Sequence, residues 1–380
     1  MKEICSTTIC TGCGICVSLC PKKCISMTTG YLGHLFPEIN QSQCIDCGLC
    51  KKNCPSLSSI DANYPIKAFA AWAKDQKDYE TSTSGGAASV LSRYILLRGG
   101  VVYGCCVMPE VKITHIRIDN INELYKLKGS KYVQSSITSV IPQIKKDIKE
   151  GRHTLFIGTP CQVSAIKKLF KEYPPNLYLV DIICHGTPSN KFLSDYITKN
   201  LQIPLNQVTQ IIFRLPDSFS LCLYNKTKLL YKSNNLWTNR YEDLYYNTFI
   251  DGFTYRPSCF LCKYAAPQRV SDITIGDFWG LGNEAPDDEI PEHNSGISCI
   301  LPISKKGEEL IYSIRNNLNI YERPITEAIN GNEQLRTPKK KDWRIRMFQL
   351  MIHFMPISTS YYILNCDRIL KYKFNKKLNI

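Results

Sequence analysis

Two cysteine runs stand near the start of the chain, "CTGCGICVSLCP" at residues 10–21 and "CIDCGLCKKNCP" at residues 44–55. Each reads C-x-x-C-x-x-C-x-x-x-C-P, and that spacing has a chemical reading. Three thiolates so close together wrap three corners of one iron-sulfur cube, while the fourth, turned away by the proline, reaches a neighbouring cube. By this crossing Cys10, Cys13, Cys16 and Cys54 hold one 4Fe-4S cluster, and Cys44, Cys47, Cys50 and Cys20 hold a second. Thiolate is a soft donor that suits iron-sulfur or zinc. Zinc motifs usually set two C-x-x-C pairs apart instead of giving C-x-x-C-x-x-C, so the duplicated run favours clusters. Gly12, Gly14 and Gly48 allow backbone N–H groups to approach the cluster sulfurs. Cys5 and Cys24 fall outside the pattern and read as ordinary thiols. With all eight ligand positions filled, such clusters carry electrons and do no bond chemistry, so this segment is a wire.

A further C-x-x-C, Cys259 and Cys262 in "RPSCFLCKYAAP", stands about two hundred residues downstream. Cys161 in "GTPCQ" and Cys184 in "CHGTPS" fall where short apolar strands run into helices. If those strands are parallel neighbours, both junctions share one rim of a sheet, and with the C-x-x-C pair they make a tetrathiolate 4Fe-4S site. The scattered spacing leaves a redox dithiol and a zinc site open as well. Cys105, Cys106, Cys222, Cys299 and Cys366 lie on apolar or isolated positions and read as buried inert thiols.

The elements that must position these groups follow from periodicity. "IKAFAAWA" (66–73) reads as a strand, "GGAASVLSRYILLRGG" (85–100) as a helix closed by glycines, and "VVYGCCVM" (101–108) as a buried strand. "TLFIG" (154–158) runs into the helical "CQVSAIKKLFKEY", and "LYLVDIIC" (177–184) into "SNKFLSDYITKNL". Strands that feed amphipathic helices predict an α/β fold: an α+β iron-sulfur domain at 1–60, then a larger mixed α/β domain at 61–335. Ligands in such sheets sit outside the strand ends that lead into helices. Ser84, Gly85 and Gly86 precede a helix there, where backbone N–H groups and a helix N-terminus suit a phosphate.

The chain has 380 residues and a formal net charge of +14, unevenly placed. The last 45 residues, 336–380, hold eleven Lys or Arg against Asp342 and Asp367, a net +9. This basic tail reads as a solvated surface helix, or as a contact with an acidic partner or an anionic membrane face. "MFQLMIHFMPISTSYYIL" is interrupted by Gln349, His353 and Pro356, so no membrane-spanning segment is expected. The first residues, "MKEICSTTIC", lack an apolar signal core, and reduced, clustered cysteines fit a cytoplasmic protein. Nucleic-acid binding through the tail is not the expected role.

The ordered segments "SGGAASVLSRYILLRGGVVYG", "KGSKYVQS", "GTPCQVSAIKKL", "VDIICHGTPS" and "CFLCKYAAPQRVSDITIGDFWG" resemble the coenzyme F420 hydrogenase/dehydrogenase beta-subunit family, with a fused two-cluster ferredoxin domain. The resemblance runs from about residue 5 to about residue 330. It implies an FAD-binding α/β domain with a third 4Fe-4S cluster near the flavin, held by Cys161, Cys184, Cys259 and Cys262. It further implies that Ser84, Gly85, Gly86, Gly129, Ser130, Lys131 and Tyr132 line the flavin site, with Lys131 near the flavin or its phosphates. The "GDFWG" turn, 276–280, is either next to the cofactor or a rigid core turn with a buried Trp279.

Flavin takes a hydride and each cluster passes one electron, so together they convert two-electron into one-electron transfer. The implied function is an iron-sulfur flavoprotein oxidoreductase working with a hydride-carrying small molecule or a redox partner protein. Members of similar build occur in bacterial surface-polysaccharide pathways. The alternative is a non-catalytic electron-transfer subunit that docks on a separate reductase or transferase. No catalytic acid or base is required, and His185 fits a hydrogen-bonding role beside a ligand.

Overall fold

The computed structural model describes residues 3–59, 61–291, 293 and 296–377. The two cysteine runs flank an antiparallel hairpin, β1 (Ile25–Thr29) and β2 (Leu35–Ile39), and each run supplies a short helix, Ile15–Leu19 and Leu49–Lys52. The two helices pack on one another and start from glycines in the same left-handed conformation, Gly14 and Gly48. The duplication in sequence is therefore a duplication in backbone.

Five strands follow: β3 (Ala68–Ala73), β4 (Val101–Met108), β5 (Lys112–Ile118), β6 (Thr154–Gly158) and β7 (Leu177–Ile182). A small antiparallel sheet comes next, formed by β8 (Gln210–Ile212), β9 (Cys222–Asn225) and β10 (Lys228–Lys232). β11 (Ile273–Asp277), β12 (Ser298–Pro302) and β13 (Leu318–Arg323) then complete an eight-stranded sheet in the order β13-β3-β12-β11-β7-β6-β4-β5. Its middle, β4-β6-β7-β11, is parallel, and the outer pairings are antiparallel. The fold is thus mixed α/β. Every residue of β3, "AFAAWA", is buried, as a strand covered on both faces requires.

The expected strands at 101–108 and 154–158 occupy those residues, whereas the predicted helices are shorter. The first is Ala87–Leu96 and stops before Gly99 and Gly100, and the one carrying Cys161 is Pro160–Lys167, ending well before Tyr173. Register puts Gly158 beside Asp181 and Ile182 beside Ile275. The junctions after β6, β7 and β11 therefore share one rim, and the neighbouring parallel strands anticipated for the two cysteine junctions are present.

The tail contains three helices, Trp343–Met351, Ile357–Leu364 and Cys366–Lys377. It is not wholly a solvated appendage. Phe348 and Tyr361 are fully buried and meet Phe253 edge-on at 4.9 and 5.2 Å. Cys366, expected to be buried, is exposed, and Cys105 is only half-buried.

Arg256 joins the iron-sulfur segment to the large sheet. Although 1% exposed, it donates from Nε to the Cys10 carbonyl (2.6 Å) and from its terminal nitrogens to the Leu35 carbonyl (2.7 Å) and Gln134 (3.2 Å). Gln134 donates in turn to the Thr11 carbonyl, and Lys263 to the carbonyls of Pro55 and Ser58. A Cβ on Gly12 would stand 2.5 Å from Arg256, and one on Gly14 would stand 2.3 Å from the Thr138 hydroxyl. The absence of a side chain at these two glycines is therefore used against the neighbouring domain, a reason that spacing alone does not reveal.

Candidate iron-sulfur and flavin sites

Cys10, Cys13, Cys16 and Cys54 are all buried, and Cys16 lies within electrostatic reach of the other three. Burial pushes the Cys13 thiol up to about 12. Cys10 goes the other way, held down to about 6 by a hydrogen bond from Cys5, with the Arg256 charge adding to it. Cys54 is likewise held down to about 6 by Cys5. Cys5, read from sequence as an ordinary thiol, thus lies between two predicted ligands. Nothing in its spacing signals this, because the backbone between it and Cys10 is irregular.

Cys20, Cys44, Cys47 and Cys50 line one small cavity, joined there by Cys24, whose Sγ is 3.4 Å from that of Cys20. Cys47 is the exposed member of this set. The second site is consequently the outer one.

Cys161 enters the first turn of its helix next to the capping residue Thr159, whose hydroxyl is 3.2 Å from its sulfur. Cys184 follows β7, and Cys259 and Cys262 are set by the tight turn Pro257–Leu261. The chain brings these four thiols together: Cys184 feels Cys259, Cys161 and Cys262, and Cys161 feels Cys262 and Cys259. Burial raises all four, Cys161 to about 12 and Cys259 to about 11. Thiols raised in this way ionise only when metal takes the charge. Arg269, buried with Asp181 at 3.0 Å, ties the Cys262 loop to the end of β7 through the carbonyls of Tyr264 and Ile182. Sequence reasoning missed Arg269 and Arg256 because their roles depend on contacts across the fold.

Among the described residues, no group of three or more His, Cys, Asp or Glu side chains is arranged to hold a metal ion. An iron-sulfur cube asks for something different, since each thiolate binds its own iron and the sulfurs stand farther apart than around a single ion. Sets of four thiols, with neither carboxylate nor imidazole among them, are soft donor sets that fit such cubes.

A cavity of about 580 Å³ opens at the sheet rim, a size within the usual range for small-molecule sites. Ser84, Gly86, Gly129, Ser130, Lys131 and Tyr132 line it, as does the start of the Ala87–Leu96 helix. Gly85 is placed behind the wall, where a Cβ would meet the Ala71 carbonyl at 2.1 Å. The Ser84 hydroxyl is bound to the Ile297 carbonyl (2.9 Å), while Thr83 and Ser130 join the two loops at 2.9 Å. Lys131 donates to the carbonyls of Leu127 and Lys128, and burial lowers its pKa. Among the described residues its ammonium is bonded to main-chain carbonyls and to no carboxylate.

Trp237, Phe219 and Trp279 also face the cavity. Trp279 is 47% exposed and Phe278 is the buried residue of "GDFWG", which corrects the reading of that turn as enclosing Trp279. Asp277, in the same turn, pairs with Arg214 at 2.7 Å. Cys184 and His185 line the cavity too, so one cysteine belongs to both the four-thiol group and the cavity wall. Cys13, Cys161 and Cys262 pack in one cluster with Tyr264, which brings the four-thiol group against the first site.

The fold is a mixed α/β sheet preceded by a duplicated cysteine segment, and its thiols fall into sets that fit iron-sulfur cubes. The family descriptions that match are "4Fe-4S dicluster domain" over residues 9–57, "Coenzyme F420 hydrogenase/dehydrogenase, beta subunit N-term" over 68–142, and its C-terminal counterpart over 151–328. The chain belongs to the coenzyme F420 hydrogenase/dehydrogenase beta-subunit family and carries a 4Fe-4S dicluster domain ahead of it. Its first part is 38% identical over 64 residues to Ferredoxin-1 of Caulobacter vibrioides, covering 17% of this chain and 51% of that protein. A ferredoxin of Saccharopolyspora erythraea is 32% identical over 77 residues, 20% of this chain and 68% of that one. The chain spans about half the length of the Caulobacter ferredoxin and of a Rickettsia felis ferredoxin that it also matches. A chain of the F420-reducing [NiFe] hydrogenase complex from Methanosarcina barkeri aligns with a TM-score of 0.48 at 17% identity, over 72% of this chain and 91% of that one. Among the described residues, no helix is long and apolar enough to cross a membrane.

Proposed function

We propose that the chain is an iron-sulfur flavoprotein that exchanges electrons between a hydride carrier at the 580 Å³ cavity and a relay of three 4Fe-4S clusters. One observation supports this above the rest: Cys184 lines the cavity and also belongs to the four-thiol group. FAD, bound in the cavity, supplies exchange between two-electron and one-electron transfer. The N–H groups that open the Ala87–Leu96 helix suit its phosphates, and the Lys131 ammonium suits the electron-rich ring. Trp237 and Trp279 offer flat apolar surface for a planar hydride carrier of the F420 kind. Burial and the Lys339 charge lower the His185 pKa, and its ring lies 3.4 Å from the Tyr255 hydroxyl and 3.3 Å from Gln334. Those contacts suit positioning rather than proton storage.

The four-thiol group adjoins the cavity, the first site adjoins that group, and the second site has the exposed Cys47. The relay then runs between cavity and surface, and a redox partner docks near Cys47, Ile45 and Leu49, all exposed. Anaerobic purification with iron, sulfide and flavin quantitation tests the reading. About twelve irons and one FAD are expected from three cubes of four irons each, and Cys259→Ser is expected to remove about four irons and leave the other eight. A wild-type count near eight would overturn the third cluster. A flavin-free protein whose clusters still reduce would overturn the hydride role and leave an electron-transfer subunit.

A further inference from the structure

Eight of the twenty-three exposed large hydrophobic side chains among the described residues lie between Trp343 and Phe374, in less than a tenth of the chain. Their order is regular. Trp343, Met347 and Leu350 recur on one face of the Trp343–Met351 helix, and Phe354, 88% exposed, follows in the turn. The opposite face is the one that packs, through Ile345 and Phe348. A helix whose inner apolar face is already satisfied carries a second apolar face outward, and the folding of this chain does not require it. The last helix repeats the arrangement. Tyr372 holds it to the body through the Thr238 carbonyl (2.9 Å) and the Tyr241 ring, while Leu370 and Phe374, one turn apart on the other side, are exposed.

Charge accompanies both stripes. Lys340, Arg346, Lys371 and Lys373 are exposed, and the two acids of the segment are already engaged, Asp342 in capping Ile345 (2.9 Å) and Asp367 in holding Arg344 (2.6 Å). We propose that these C-terminal helices form an interfacial membrane-binding face, with Trp343, Leu350, Phe354, Leu370 and Phe374 entering the headgroup region of an anionic bilayer and the basic residues pairing with its lipids. A lipid surface supplies an apolar layer and negative charge together, which is what this face lacks. A protein partner matches it less well, because protein interface cores are depleted of lysine and here lysines stand among the apolar residues. At nine and twelve residues the two helices lie on a membrane and do not cross it.

The test is flotation of the iron-loaded, full-length protein with vesicles of equimolar phosphatidylglycerol and phosphatidylcholine, against vesicles of phosphatidylcholine alone. Wild type is expected to float with the anionic vesicles only and to be released by salt. Leu350→Ser with Phe354→Ser is expected to lower partitioning at least about tenfold through lost apolar burial. Lys371→Glu with Lys373→Glu is expected to lower it by about fivefold or more for each charge removed. An unchanged iron content in each variant shows that the fold persists. The proposal is overturned by a wild type that stays with the unbound fraction at low salt. It is equally overturned by serine variants that float like wild type, or by capture on immobilised polyglutamate without binding to vesicles.

Discussion

Arg256 fastens the iron-sulfur segment to the rest of the chain, because its planar fork meets two of that segment's backbone carbonyls, the face of Phe36 at 4.3 Å and, on its own side, the Gln134 amide. Replacing it with Met leaves the buried Cys10 carbonyl and the part-buried Leu35 carbonyl without that donor. Each such loss costs on the order of 1–3 kcal/mol, so Arg256→Met is expected to destabilise by about 3 kcal/mol in chemical denaturation and to speed iron loss from the first site. Arg256→Lys should recover only part, since one ammonium cannot span both carbonyls. His34, fully buried between the Thr254 carbonyl and Gln134, predicts a pH effect. Burial, aided by the Arg256 charge, holds its imidazole down to about 4, against about 6.5 unfolded. A base with a depressed folded pKa binds its proton more readily when unfolded. Its contribution is therefore complete above about pH 6.5 and is lost as pH falls toward 4, a loss of order 3 kcal/mol over that window. Denaturation midpoints followed from pH 7 to pH 4.5 are expected to fall less steeply for His34→Gln than for wild type, and parallel curves would exclude His34 as the source.

At the scale of elements, the legible parts are those with a periodic or repeated signal. β4 and β6 lie where their apolar runs stand, and the duplicated cysteine run appears as duplicated glycine-started helices. The gathering of Cys161, Cys184, Cys259 and Cys262 was readable only in outline, because it depends on β6 and β7 being parallel neighbours and on a turn fastened by Arg269. The small sheet β8-β9-β10 and the aromatic face of the cavity gave no warning, since Phe219, Trp237 and Trp279 come together from separate loops and turns. The loop before the Ala87–Leu96 helix shows a further difference of scale. Gly85 reads as a ligand-facing glycine yet abuts the backbone of β3 and β12, where a side chain would overlap the Ala71 carbonyl oxygen and press on the Ser298 nitrogen. Gly129 has φ +81° and open space around it. Gly129→Ala should thus cost only the backbone strain, about 1–2 kcal/mol. Gly85→Ala must displace backbone, so a loss above about 2 kcal/mol and weaker flavin retention are expected, measured by thermal unfolding and by flavin released on dialysis.

For the whole molecule, the arrangement of thiol groups makes a claim about order. The four-thiol group touches the cavity, Cys13 packs beside Cys161 and Cys262, and Cys47 is exposed at the far site. Two serine substitutions on the proposed relay should then fail differently. Cys259→Ser interrupts the chain at its first cluster: dithionite, which reaches the outer site directly, is expected to reduce the N-terminal clusters, whereas a hydride donor that bleaches the flavin is not. Cys47→Ser interrupts it at the last: the hydride donor should still bleach the flavin and reduce the inner clusters, but electron delivery to a protein acceptor such as cytochrome c should fall at least about tenfold. Stopped-flow absorbance separates flavin bleaching from cluster reduction, and low-temperature electron paramagnetic resonance identifies which clusters have taken an electron. If Cys47→Ser stops reduction of the inner clusters, or Cys259→Ser leaves hydride-driven reduction of the outer ones intact, the order is wrong. Ile45 and Leu49, exposed beside Cys47, refine the same test. Charging both, as Ile45→Glu with Leu49→Glu, leaves every thiol in place, so it should spare all internal transfer and slow only the handover to the acceptor.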